Sequence, residues 1–304
     1  MSRSLLPIPF SGRLPLAAGR EVEVPGAQPD VAAPASLSRA RSERAGALVY
    51  GRLRFVDETF QDVPADPAGS LLRRWLERGD AVLDELAGEF LVAVWDEARG
   101  CALVAVDRFS TYPLFWAQRG GVVAFSARPA QAVSLAGLSA ELDPQAALAY
   151  AYFHMVPAPL SIFEGVRRLD LGEALIVAGG RVEVKRYWNP LFEEQRPFDF
   201  PTERAAFLGA LRDGVAECTA GLPREQIGCF LSGGTDSSTI AGLVTQQYGA
   251  PARTFSIGFD VGGYDETMYS RLAAKHFGTE HTEYFLTPDD VLAGVEAVAS
   301  QYEQ

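Results

Sequence analysis

The sequence predicts two domains of different class: a layered α+β domain over residues 1–188 and, beyond a linker at 189–202, the opening of a doubly wound α/β domain over 203–304. Three observations carry this reading. In the first half, apolar strand-like runs come in pairs separated by turns of hairpin length, with few helices between them. From Ile227 the order changes to strand, helix, strand, helix, strand, which is how a parallel sheet begins. Between the two, Asn189 to Pro201 is polar and carries Pro190, Pro197 and Pro201, the composition of a boundary.

Composition narrows the function classes. A chain of 304 residues with 48% hydrophobic and 22% charged residues has core enough for two domains. A net charge of −12 has the wrong sign for a nucleic-acid surface, so no nucleic-acid partner is expected. No apolar run has bilayer length, and the start, Met1-Ser-Arg-Ser-Leu-Leu-Pro7, is too short and proline-broken for a signal peptide. No membrane partner is expected, and the location expected is cytoplasmic. Cys101, Cys218 and Cys229 have no metal-site spacing and are expected to be buried free thiols in a reducing compartment.

In chain order, short strands are expected at Ser11 to Leu14 and Glu21 to Val24, then a longer one from Ala47 to Phe55. Leu71, Leu72, Trp75 and Leu76 share one face of a helix over 71–78. Glu89 to Trp95 and Cys101 to Val106 form a strand pair across Asp96-Glu-Ala-Arg-Gly100, and Leu114 to Gln118 pairs with Val122 to Ser126 across Arg119-Gly-Gly121. Pro144 suits the first turn of a helix that runs to Phe153. Strands at Glu173 to Val177 and Val182 to Arg186 close the half.

The second half opens with a helix from Glu203 to Thr219, its stripe being Ala206, Phe207, Ala210, Leu211 and Val215. Then comes the stretch that carries chemistry. Ile227 to Leu231 reads as a buried strand that feeds Ser232-Gly-Gly-Thr235, and a helix follows from Asp236. Adjacent glycines allow a close ligand or a conformation that a Cβ forbids; they also suit a turn that merely packs well. The hydroxyls of Ser232, Thr235, Ser237 and Ser238, with the open N–H groups of a helix start, offer donors to an anion. No lysine follows the glycines, so this is not the G-x-x-x-x-G-K-[ST] phosphate loop. A second strand follows at Arg253 to Phe259, a helix at Glu266 to Phe277 stopped by Gly278, a third strand at Glu283 to Phe285 and a helix at Pro288 to Gln301. Asp265-Glu266 reads as a cap for its helix, and His281 as a structural polar residue before a strand.

Ser232-Gly-Gly-Thr-Asp-Ser-Ser238 resembles the pyrophosphate loop of the asparagine synthetase superfamily, and the resemblance spans both halves. Leu86-Ala-Gly-Glu-Phe90, Val106-Asp-Arg-Phe109, Tyr112-Pro-Leu-Phe-Trp116, Met155-Val-Pro-Ala-Pro159 and Tyr187-Trp188 follow the landmarks of the family's glutamine-amidotransferase domain in order. Thr254-Phe-Ser-Ile-Gly-Phe259, Tyr264-Asp-Glu266 and Gly278-Thr-Glu-His281 fall where its synthetase domain has them. The resemblance implies an Ntn-hydrolase-like αββα domain followed by an adenine nucleotide α-hydrolase-like one. It implies ATP and Mg²⁺ as cofactors, with Ser232, Gly233, Gly234, Asp236, Ser237 and Ser238 around the phosphates and Asp236 on the metal. Leu231, Ile257 and Gly258 would lie by the adenine.

The chain departs from the family at three places in the first domain. The family's nucleophile is an N-terminal cysteine followed by glycine, whereas this chain has Ser2-Arg3. The Asn-Gly of its oxyanion hole appears as Tyr50-Gly51, and its Gly-x-Asp substrate clamp as Pro64-Ala65-Asp66. Ser2 is thus the sole candidate for a catalytic nucleophile, and the domain reads as inactive. The chain stops at Gln304, inside a stretch that the family continues, so a fragment, a truncated gene product and one half of a split protein all fit.

Three functions follow. The first is amide-bond formation through an acyl-adenylate, on a small-molecule or peptide carboxylate and amine, without glutamine hydrolysis, as in β-lactam synthetases and lasso-peptide cyclases. The others are a non-catalytic nucleotide- or partner-binding remnant, and a glutamine-hydrolysing asparagine synthase. A homodimer and a missing C-terminal half are the alternatives for assembly.

Overall fold

The computed structural model describes residues 8–24, 37–57, 64–192, 198–259 and 267–301, with side chains described up to residue 295. The chain divides between Phe192 and Glu193 into two compact units. Ser2, Tyr264, Asp265 and Glu266 lie outside the described residues, and with them the expected cap at Asp265-Glu266.

The first unit contains β1 (Ser11–Pro15), β2 (Leu37–Arg41), β3 (Ala45–Phe55), α1 (Pro67–Arg78), β4 (Leu86–Asp96), β5 (Cys101–Val106), β6 (Phe115–Arg119) and β7 (Val122–Ser126). It continues with α2 (Pro129–Ala136), α3 (Pro144–Phe153), β8 (Arg167–Arg168), β9 (Glu173–Ala178) and β10 (Arg181–Arg186). A four-stranded sheet has the order β1-β7-β6-β8 and a six-stranded sheet the order β10-β9-β5-β4-β3-β2, with antiparallel pairing throughout.

Alternation along β4 explains how the layers stack. Leu91, Ala93 and Trp95 point into a core shared with Leu14, Trp116 and Phe125 of the other sheet. Phe90, Val92 and Val94 point the other way, onto Leu71, Leu72 and Trp75 of α1. A strand buried on both faces reads as a continuous apolar run, which is why β4 and β5 stand out in the sequence. The outer face of the four-stranded sheet packs Phe115 and Ala117 on Ala132 and Val133 of α2. The result is four layers in the order helix, sheet, sheet, helix.

Several elements differ from expectation. Residues 21–24 form no strand; Glu23 makes an isolated bridge to Arg13. The edge strand β2, the helix α2 and the two-residue β8 were not expected. In β2 only Leu37 is fully buried and Arg39 and Arg41 alternate outward, so the apolar signal is thin. α2 is a short run of small residues that starts on Pro129, and it forms because the sheet beneath it supplies an apolar floor.

The second unit contains α4 (Phe200–Thr219), β11 (Cys229–Phe230), α5 (Thr235–Tyr248), β12 (Arg253–Phe259), α6 (Thr267–Phe277), β13 (Glu280–Leu286) and α7 (Pro288–Gln301). Its sheet is parallel with the order β11-β12-β13. The buried strand expected over 227–231 is ladder-paired only at Cys229 and Phe230, and one further bond runs from Leu231 N–H to the Phe255 carbonyl (2.8 Å). The strand order is sequential, without the reversal that defines double winding, over the described residues.

The two faces of this sheet are unequal. Cys229 and Leu231 join Val215 of α4, Ala241 and Val244 of α5 and Ala274 of α6 in one core; of the three cysteines expected to be buried only Cys229 is, Cys101 being half-buried and Cys218 exposed on α4. On that side β12 presents Thr254, Ser256 and Gly258, all buried. On the other side it presents Phe255, Ile257 and Phe259, in register with Phe230 of β11 and Tyr284 of β13. Phe230 is 79% exposed, Tyr284 56% and Ile257 52%.

Candidate functional site

The chemistry-bearing loop leaves β11 at Leu231 and enters α5 at Thr235. Leu231 anchors it: its side chain is buried, its N–H is spent on Phe255, and its carbonyl accepts the Ser256 hydroxyl. The two glycines differ in kind. Gly233 has φ +82°, and a Cβ there would collide with the backbone of Tyr269 and Ser270 in α6. Its glycine is therefore demanded by packing. Gly234 caps α5 with φ −71°, and a Cβ there would meet only the Ser232 hydroxyl at 3.5 Å. Space above it is open to a ligand.

Hydroxyls knit the loop. Ser232 N–H donates to Ser237 Oγ (3.2 Å), the two Oγ atoms lie 3.0 Å apart, and Ser237 Oγ also reaches the Gly234 carbonyl (3.3 Å). No side chain caps the N-terminus of α5, so its first N–H groups keep their electropositive character. Ser238 Oγ is buried and has no hydrogen-bond partner. Asp236 is exposed in the first turn. The residues fit an anion: unpaired donors converge at a helix start beside an open glycine. They supply one hard carboxylate oxygen, and no cluster of three or more His, Cys, Asp or Glu able to hold a metal exists among the described residues.

The other sequence-predicted residues are placed as follows. Ile257 lies half-exposed on the open face of β12. Gly258 is glycine because a Cβ would strike the Phe285 ring and Thr267 Cγ2. His281 belongs to a polar chain at the start of β13, where its Nδ1 lies 2.9 Å from Thr254 Oγ1, itself 2.8 Å from Thr279 Oγ1. Its Nε2 is 3.4 Å from Glu283, which Arg271 grips through two bonds of 2.7 and 2.8 Å. Arg271, then His281, hold the Glu283 carboxyl below its ordinary range.

In the first unit, Gly51 has φ +96°, and a Cβ there would meet the Glu89 carbonyl. Tyr50 packs on Tyr112, and Asp66 accepts the Gly69 N–H (2.9 Å) as the cap of α1. Sequence reasoning missed Ser110, a non-glycine residue at φ +51° whose hydroxyl is buried without a partner. It also missed Asp107, which is 1% exposed and accepts from the N–H groups of Phe90, Phe109 and Thr111. The spacing Asp107-x-x-x-Thr111 is the signal that could have found that turn.

Two family models match the chain: asparagine synthase over residues 206–304 and the glutamine amidotransferase domain over residues 58–188. The chain belongs to the asparagine synthetase superfamily. A Mycobacterium bovis protein, named provisionally as an asparagine synthetase (glutamine-hydrolyzing), is 29% identical over 228 residues, covering 72% of this chain and 34% of its own length. Asparagine synthetase (glutamine-hydrolyzing) 1 of Bacillus subtilis is 24% identical, covering 73% and 34%. The amidase chyE of Penicillium rubens is 24% identical, covering 80% and 37%. The chain thus spans about a third of the length of these relatives. No helix among the described residues is long and apolar enough to cross a membrane.

Proposed function

We propose that the second unit binds ATP through the loop from Leu231 to Ser238, as the nucleotide site of an amide-forming ligase. The observation that carries this is the helix start of α5, free of a side-chain cap, beside open space at Gly234 and the paired Ser232 and Ser237 hydroxyls. In this reading Ser232, Ser237 and Ser238 and the N–H groups of α5 hold the β- and γ-phosphates. Asp236 would hold Mg²⁺, a hard cation that takes oxygen ligands. The adenine lies near Leu231, Ile257 and Gly258.

The reaction proposed has two balanced steps. A carboxylate oxygen attacks the α-phosphate, giving an acyl-adenylate and pyrophosphate. An amine then attacks the acyl carbon, giving an amide and AMP. Fixed donors of the loop meet the charge on departing pyrophosphate, and Mg²⁺, when bound, would neutralise part of it. The nitrogen is proposed not to come from glutamine. Tyr50 fills the position before Gly51 with a packed ring, and Asp66 caps a helix.

Nucleotide binding is tested by calorimetry on the full chain with ATP, in Mg²⁺ and in EDTA. Affinity should fall in EDTA, Asp236→Ala should abolish that difference, and Ser238→Ala should weaken binding in both media. Equal affinity in Mg²⁺ and EDTA for wild type and D236A alike would refute the metal assignment. Glutamate release from glutamine, abolished by Ser2→Ala, would restore the amidotransferase.

A further inference from the structure

The start of α6 stands beside the phosphate loop, and two glycines record how closely. A Cβ on Gly258, at the end of β12, would strike Cγ2 of Thr267, the first residue of α6. A Cβ on Gly233, in the loop, would strike the Cβ and carbonyl carbon of Tyr269. The first turn of α6 thus reaches from the tip of β12 to the loop that leaves β11. We propose that the Tyr269 hydroxyl donates a hydrogen bond to a phosphate oxygen of the nucleotide held there. The contact rests on the nucleotide reading of the loop and adds to it a binding residue outside the stretch from Leu231 to Ser238.

Helical periodicity gives the direction. Thr267, Ser270 and Ala274 are buried and form the inner face of α6. Arg271 lies on one flank of that face and grips Glu283 of β13 through two bonds of 2.7 and 2.8 Å. Tyr269 lies on the opposite flank, against Gly233. Helical side chains also lean toward the N-terminus of their helix. In a parallel βαβ unit that end of the helix stands at the carboxyl ends of the strands, where ligands bind. The contact of Thr267 with Gly258 shows that arrangement here. Tyr269 therefore leans along the loop toward the ligand edge of the sheet.

The phenol is accessible and uncommitted. Tyr269 is 55% exposed, and its hydroxyl bonds to no described residue. Its neighbours differ: the Ser270 hydroxyl is buried and spent on the Thr267 carbonyl (3.0 Å), and the Tyr284 hydroxyl is spent on Asp290 (3.0 Å). Ile227 to Ser238 contains no basic residue, so neutral donors must carry the phosphates on that side. A phenol O–H suits the task, because a hydrogen bond to a charged acceptor is stronger than one to a neutral acceptor.

The test is calorimetry on the full chain with ATP, pyrophosphate and adenosine in Mg²⁺. Tyr269→Phe keeps the ring and removes the hydroxyl. It should weaken ATP and pyrophosphate on the order of tenfold, the effect of one hydrogen bond to a charged group, and leave adenosine unchanged. Met268→Ala, at the exposed residue next to it, should leave all three affinities unchanged. In the isotopically labelled wild type the Tyr269 phenol carbon should shift saturably with pyrophosphate and not with adenosine, a reading that needs no variant to fold. Undiminished ATP and pyrophosphate affinity in Tyr269→Phe, a matching loss for adenosine, or an unmoved Tyr269 resonance would each overturn the contact and leave ATP binding by the loop in place. A wild type that binds no ATP at all would instead refute the nucleotide reading, and the contact with it.

Discussion

The Tyr50 ring meets the Tyr112 ring edge-on, with centroids 5.1 Å apart. Burial pushes the Tyr112 phenol up to about 12, aided by the Glu89 carboxylate, by Tyr50 and by Asp107. Burial raises Tyr50 in the same direction. In the unfolded chain both phenols ionise near 10. The folded state therefore binds more protons between about pH 10 and 12, and its stability is complete below 10 and falls as pH rises through that window. Burial raises Tyr187 as well, and the hydrogen bond to Asp290 raises Tyr284; ultraviolet titration should therefore show four late tyrosines that become normal on unfolding, and Tyr112→Phe should remove part of the alkaline loss of stability. Ten tyrosines sharing one midpoint near 10 would contradict this.

Asp66 is predicted to act through the fold rather than through a substrate. Its carboxylate caps α1, whose Leu71, Leu72 and Trp75 floor one of the cores. Asp66→Ala should cost about 1 kcal/mol in chemical denaturation, and Asp66→Ser should recover most of it, because serine caps nearly as well. An equal loss in both variants would show that capping is not the role.

Gly233 and Gly234 separate packing from binding. Gly233→Ala meets both a positive φ and the backbone of α6 and should destabilise the second unit by about 1–3 kcal/mol. Gly234→Ala fits its φ and open surroundings, so stability should stay within about 0.5 kcal/mol. Any loss of ATP affinity in that variant then reports on the ligand. A stable Gly233→Ala would show that α6 yields.

This distinction was beyond the sequence. Two adjacent glycines look alike in a row of letters, and only the docking of α6, more than thirty residues on, tells them apart. Local signals were read well where burial is two-sided or the caps are strong. The expected bounds of β5, β7 and α3 match the observed ones, as do those of β12, although one of its faces is open. β13 was expected over three residues and extends over seven, since Glu280, His281 and Thr282 are polar and are drawn into the ladder by pairing with β12.

Two phenylalanines should respond oppositely to truncation. Phe90 is fully buried between β4 and α1, and Phe90→Ala should cost about 3–5 kcal/mol. Phe230→Ala, on the open face of β12 and its neighbours, should change stability by less than about 1 kcal/mol in the isolated chain. Comparable losses would mean that the open face is covered in solution.

That open face also governs how molecules of this protein meet one another. At low ionic strength the net charge of −12 keeps copies apart. Salt shortens the reach of that repulsion to about 10 Å at 0.1 M and leaves apolar attraction intact. Phe230, Ile257, Phe259 and Tyr284 then act as adhesive spots, alongside other exposed apolar side chains such as Leu191, Phe192 and Tyr152. The osmotic second virial coefficient should accordingly start positive and turn negative as salt is added, and aspartate in place of Ile257 and Tyr284 should keep it positive.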